Sequence, residues 1–202
     1  MDGLIHAGKK SQVRWGDGNW IILDIGFSSQ AKSCGLLHGK QNPCSVTFGN
    51  AKNEIIKAIR SSKSRVNLVV EAPLSVHFDP QGNPKGRTCE KEGAQTRYWY
   101  VGPGSVVMVA AMYLIRAIFE LKPKVPVRLF EGFVSFRNSG SHSDGKTDVL
   151  ALRDAIRKCA KFPVHLYSDN ELKADSGDCL ISAFRVADLD CGVPAVIKCE
   201  IR

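Results

Sequence analysis

Several absences narrow this chain before any motif is read. Its 202 residues include seven cysteines. None forms a CxxC pair, and none has a His at zinc-finger spacing, so a structural zinc site is not expected. Odd in number and scattered, Cys34, Cys44, Cys89, Cys159, Cys179, Cys191 and Cys199 read as reduced thiols of an intracellular, cytoplasmic protein. The opening MDGLIHAGKK has no apolar run of signal-peptide length. The most apolar segment, VVMVAAMYLIRAIFEL at 106–121, is broken by Arg116 and Glu120. It is shorter than the roughly 20 residues of a membrane span, and is expected as a helix buried on most sides of a soluble protein. Internal repeats and linker-like stretches are also missing. Residues 1–202 are therefore expected as a single domain, large enough to bury roughly 70% of the surface of its unfolded chain.

What is abundant is positive charge. A formal charge of +8 and a pI near 9.2 favour an acidic partner such as nucleic acid. Between Lys52 and Arg65 there are five basic residues and one acid, and Arg153, Arg157 and Lys161 recur at helical spacing. Such stripes serve equally as solvated helix faces or as phosphate-binding surfaces.

The apolar pattern gives an element order. WIILDIG at 20–26 is apolar on both sides, as in a strand covered on both faces. Short strands near 35–38 and 44–48 flank the turn signal KQNP, which makes an antiparallel meander. A helix follows with Ile55, Ile56 and Ile59 on one face and Asn50 as its cap. RVNLVVEAP is a strand ended by Pro73. A polar loop at 77–97, the apolar helix at 105–121 and a strand at 127–133 come next. A helix with the stripe Val149, Leu152, Ile156 and Cys159, a strand at 164–167, a last helix at 178–189 and a terminal strand in PAVIKCEI complete the chain. Three meandering strands, a helix and then a parallel strand is the order of the ribonuclease H fold. The expected class is α/β, with three antiparallel strands, then parallel strands, flanked by helices.

Four acids fall where such a sheet gathers ligands. Asp24 lies in an apolar strand, Glu71 at a strand's carboxyl end, Glu131 in LFEGF, and Asp178 in the first turn of the last helix. A lone carboxylate among apolar neighbours costs several kcal/mol unless something pairs with it. Two of them about 4 Å apart repel by about 4 kcal/mol at an effective dielectric of about 20. A proton or a divalent cation relieves that repulsion, and an all-oxygen donor set suits Mg2+ or Mn2+. Asp24, Glu71 and Asp178 are the expected catalytic metal ligands, with Glu131 as a further ligand. Lys85, Arg87 and Arg97 in the polar loop are the expected nucleic-acid contacts. Each acid also has a plain alternative: Asp178 as a helix-dipole acid, Glu131 on a solvent edge, and Glu71 as a strand-end charge.

WIILDIGFSS, VVEAPLS, GRTCEKEGAQTR, LFEGFVSF and SGDCLISAFRVA together resemble the ribonuclease-H-like proteins grouped as domain of unknown function 429. More distantly they resemble Holliday-junction resolvases of the RuvC type. The matching residues are Asp24, Gly26 and Ser28; Glu71 to Leu74; Arg87, Glu90 and Arg97; Glu131, Ser135 and Phe136; and Asp178 to Ala183. The family more often has Asp at the second acid, where this chain has Glu71 as the resolvases do. The His-Pro-Glu that commonly follows the strand Glu is absent after Glu131. The resemblance implies a nuclease-like fold and a metal-dependent phosphodiester hydrolase. DIGFSS is also similar to the first phosphate loop of actin-like and sugar-kinase ATPases, although the second half and the adenosine motif of those proteins are missing. A third reading is a ribonuclease-H-fold binding protein without catalysis.

Overall fold

The computed structural model describes residues 4–26, 32–92, 95–135, 145–161 and 163–200. Ser28 and Phe136 from the motifs above lie outside them, as does the side chain of Ser135. In chain order the elements are β1 (Ile5–Ala7), β2 (Asn19–Asp24), β3 (Cys34–His38), β4 (Cys44–Val46) and α1 (Phe48–Ser61). Then come β5 (Val66–Glu71), β6 (Ser75–Phe78), β7 (Lys91–Glu92), β8 (Gln95–Thr96) and α2 (Pro103–Glu120). The chain continues through β9 (Val127–Ser135), α3 (Gly145–Ile156), β10 (Val164–Tyr167), β11 (Cys179–Ser182) and β12 (Val196–Glu200).

The fold is α/β, a mixed sheet with parallel central strands and helices on both faces. The main sheet runs β10-β12-β9-β5-β2-β3-β4, with β1 beside the start of β9. β2, β3 and β4 form the antiparallel meander. β2, β5, β9 and β12 are mutually parallel, and β10 closes the far edge antiparallel.

Trp20, Ile21, Ile22 and Leu23 are each no more than 1% exposed, and period-2 alternation divides them between two cores. Trp20 and Ile22 pack with Val69, Phe130, Val134 and the α3 residues Val149 and Leu152. Ile21 and Leu23 pack with Leu68, Val70, Ile55 of α1 and Ile115 of α2. This two-sided burial is why the strand shows no alternation in sequence. Each such side chain contributes about 1.5–3 kcal/mol on burial, which is the reserve that carries the polar end of the strand.

Four expectations need correction. The cap of α1 is Thr47, whose hydroxyl accepts from Asn50 N at 3.1 Å, so Asn50 donates rather than caps. α2 is buried on one face, not most: Val107, Ala111, Leu114, Ile115 and Ile118 face the core, whereas Val106, Val109, Tyr113 and Phe119 are exposed. The segment 77–97 is partly ordered by β6, β7 and β8. The helix expected over 178–189 does not form. Residues 179–182 give their backbone groups to β6 instead, with Cys179 opposite Phe78, and only a 3-10 turn, Ala183–Ala187, follows.

α3 sits unusually close to the sheet. A Cβ on Gly35 would overlap the Gly145 carbonyl, and one on Gly145 would lie 2.6 Å from Asp24 Oδ2. The two glycines let the first turn of α3 rest on β3 beside Asp24. Gly35→Ala is accordingly expected to lower stability by about 1–3 kcal/mol through overpacking. An unchanged urea midpoint would show that the close contact is dispensable.

Candidate metal centre

Asp24 and Glu71 are the last residues of β2 and β5, and the parallel register pairs them directly. Asp24 follows Trp20 and Ile22 on the α3 face, and Glu71 follows Val69 there. Asp148, in the first turn of α3, completes the group. One carboxylate oxygen from each of the three lies within 4.8 Å of the others. Asp24 is 8% exposed, Glu71 9% and Asp148 3%.

Burial first, and then the neighbouring Asp24 carboxylate, push the Glu71 carboxyl up to about 8, while Arg97 and the Val134 amide pull the other way. Glu71 Oε1 accepts from Val134 N at 3.3 Å. Its Oε2 is buried and has no hydrogen-bond partner among the described residues. Asp24 Oδ2 lies against Gly145, where the positive end of the α3 dipole favours a carboxylate. Three convergent carboxyl groups form an all-oxygen donor set that fits Mg2+ or Mn2+ once Glu71 gives up its proton.

Glu131 is not among them. It pairs in register with Val70, which belongs to the core on the opposite face of the sheet from the acids. There it accepts two hydrogen bonds from Arg87, at 2.8 Å from both Nη1 and Nη2, and a third from Leu74 N at 2.7 Å. Arg87 is 1% exposed and also reaches Ser75 Oγ at 2.9 Å and Glu90 Oε1 at 3.0 Å. Its Nη groups are therefore engaged internally, and the residue is an anchor rather than a surface contact.

Asp178 is also elsewhere. It precedes β11 and accepts from Lys85 Nζ at 2.8 and 3.0 Å, with His77 Nε2 3.0 Å from Oδ2. Lys85 is the main reason its carboxyl is held below the usual range. Lys85 bonds Asp175 as well, at 2.6 Å. These residues fasten β11 to the segment after β6. Of the expected residues, the structure brings together Asp24 and Glu71, with Arg97 close by.

Asp148 is the ligand candidate that sequence reasoning passed over. Its signal was topological: a helix that follows a parallel strand starts at the carboxyl edge of the sheet, so its first-turn acid falls in the crevice. No family model matches the chain, and neither curated proteins nor solved structures give a match.

Two outcomes follow from the two acid clusters. In the metal-free fold Glu71 keeps its proton up to about pH 8, whereas the unfolded chain releases it near the ordinary value of 4.5. The stabilising contribution is therefore complete below the unfolded value and is lost as pH rises through the folded one. Urea unfolding in chelator from about pH 5 to about pH 9 should show a fall in wild-type stability that Glu71→Gln flattens; equal slopes would contradict it. Glu131→Ala strands the buried Arg87 and is expected to cost about 3–5 kcal/mol, read from the same denaturation curves. A loss under about 1 kcal/mol would mean that Arg87 is not held as described.

Proposed function

We propose that this chain is a ribonuclease-H-like, divalent-metal-dependent nuclease that hydrolyses phosphodiester bonds of nucleic acid. Asp24, Glu71 and Asp148 would hold Mg2+ or Mn2+. The observation that carries this reading is the approach of three carboxylate oxygens, from two strand ends and a helix start, to within 4.8 Å of one another. The strand order supports it as well: an antiparallel β4-β3-β2 meander continued by parallel β5 and β9 is the ribonuclease H order. The site lies at the carboxyl ends of parallel strands, where open α/β sheets bind ligands.

The chain's own residues divide the work. Asp24 and Asp148 supply fixed oxygens, one beside the α3 N-terminus and one within its first turn. Glu71 is held by Val134 through Oε1 and keeps Oε2 for a ligand, giving up its proton when a cation binds. A bound divalent ion would offset two of the three carboxylate charges and polarise a phosphodiester. The overall charge of +8 suits an anionic backbone.

The test uses melting temperature and cleavage together. Mg2+ or Mn2+ at about 100 times its dissociation constant should stabilise the wild type by about 2.7 kcal/mol. Asp24→Asn and Asp148→Asn should lose that response, and Asp178→Asn should keep it. Labelled branched, duplex and single-stranded DNA and RNA should be cleaved only by variants that retain the metal response. Absence of both metal stabilisation and cleavage sinks the proposal, and stabilisation by nucleotides alone would favour the kinase-like reading.

A further inference from the structure

The cation beside the carboxylates is Arg97, and its surroundings set it apart from the other two expected phosphate contacts. Arg87 and Lys85 hold internal acids. Arg97 commits Nη1 to Val134 O at 3.0 Å, its described polar side-chain contact, and lies over the Phe133 ring at 5.5 Å. A guanidinium carries five N–H donors, so most of this one remains available among the described residues.

One residue of β9 links this cation to the acids. The Val134 N–H bonds Glu71 Oε1 at 3.3 Å, while the Val134 carbonyl accepts from Arg97. Glu71 and Arg97 line the same narrow cleft, together with Arg87, Glu90, Glu131 and Phe133. The backbone of Arg97 is fixed too: its N–H donates to Glu90 O at 3.0 Å. The Glu90 carboxylate bonds Arg87 N at 2.8 Å and Arg87 Nη2, and Arg87 is bound to Glu131 on β9. The buried Arg87–Glu131 pair, which lines the same cleft, thus anchors the segment that presents Arg97.

The aromatic rings of the cleft are already covered. Tyr98 stacks on Tyr100 at 5.1 Å and abuts Gly86, and Phe133 has Arg97 near it at 5.5 Å and Lys198 at 5.7 Å. Each of these rings thus already has a partner among the described residues.

We propose that Arg97 is a substrate-binding residue whose guanidinium holds a non-bridging oxygen of the phosphodiester backbone beside Glu71. The proposal rests on the nuclease reading and deepens it, because the substrate is gripped at this lip by its phosphates and with little base preference.

Fluorescence anisotropy tests it, with labelled single-stranded and duplex DNA of several base sequences, Ca2+ as the probe cation, and a range of salt. Arg97→Ala should weaken binding about tenfold and equally for every sequence. It should also lower the slope of log affinity against log salt by about 1. Arg97→Lys should restore the slope and part of the affinity. Both variants should still unfold cooperatively and still rise in melting temperature with Mg2+. If wild type binds and Arg97→Ala matches it in affinity and slope, this inference fails and the nuclease reading stands. A loss confined to particular base sequences overturns it in favour of base recognition. If wild type shows neither binding nor metal stabilisation, both fail.

Discussion

Asp24 and Glu71 stand side by side because a parallel register of two deeply buried strands puts them there. The strands are held by Trp20 to Leu23 and Leu68 to Val70, all at or below 1% exposure, so the pair cannot be relieved by sliding one strand past the other without turning apolar side chains out of both cores. The crowding is therefore built in. It is met partly by a proton, which burial and Asp24 hold on Glu71, and partly by the helix N-terminus that two glycines admit beside Asp24. Asp148 then adds a third carboxylate to a place that already repels the first two. The start of α3 favours a first-turn acid, and its approach to Asp24 and Glu71 is what suits a cation.

The two faces of the sheet show the contrast within one molecule. On the α2 face, Glu131 and Glu90 share the guanidinium of Arg87, with short hydrogen bonds satisfying most of their oxygens. On the α3 face, Asp24, Glu71 and Asp148 converge, and Glu71 Oε2 stays without a donor among the described residues. Both clusters are buried and acidic, yet one closes on a single guanidinium and the other brings three carboxyl groups within reach of one another. A buried ion pair completed by the chain is architecture. Convergent carboxylates with an unclaimed oxygen are a place for an external charge.

Much of this was legible in the sequence, and the misses have physical causes. WIILD and LVVE announced buried strands ending in acids, and the meander followed from KQNP and the short apolar runs around it. Choosing among the acids was harder. Glu131 sits in an apolar strand as Asp24 does, but a one-residue difference in phase sends it to the other face, and only the register reveals the phase. Asp178 was assigned to a helix because CLISAFRVADL is apolar at helical spacing, although its first residues pair with β6. That pairing depends on a contact about a hundred residues away, beyond any local pattern. Asp148 was hidden by its ordinariness, since a first-turn acid is what any helix start favours.

The exposures order the site along one direction. Asp148 is the most deeply buried of the three acids, Asp24 and Glu71 are slightly more open, and Arg97 is exposed. Under the proposed reading, an anionic backbone would meet the exposed guanidinium while the carboxyl groups stay buried. Arg97 and Glu71 both bond the backbone of Val134, so β9 holds the two side chains near one another. The conformation of the lip is thus coupled to the strand that also carries Glu131. The buried pair and the proposed phosphate contact line one cleft and are two uses of the same short stretch of backbone.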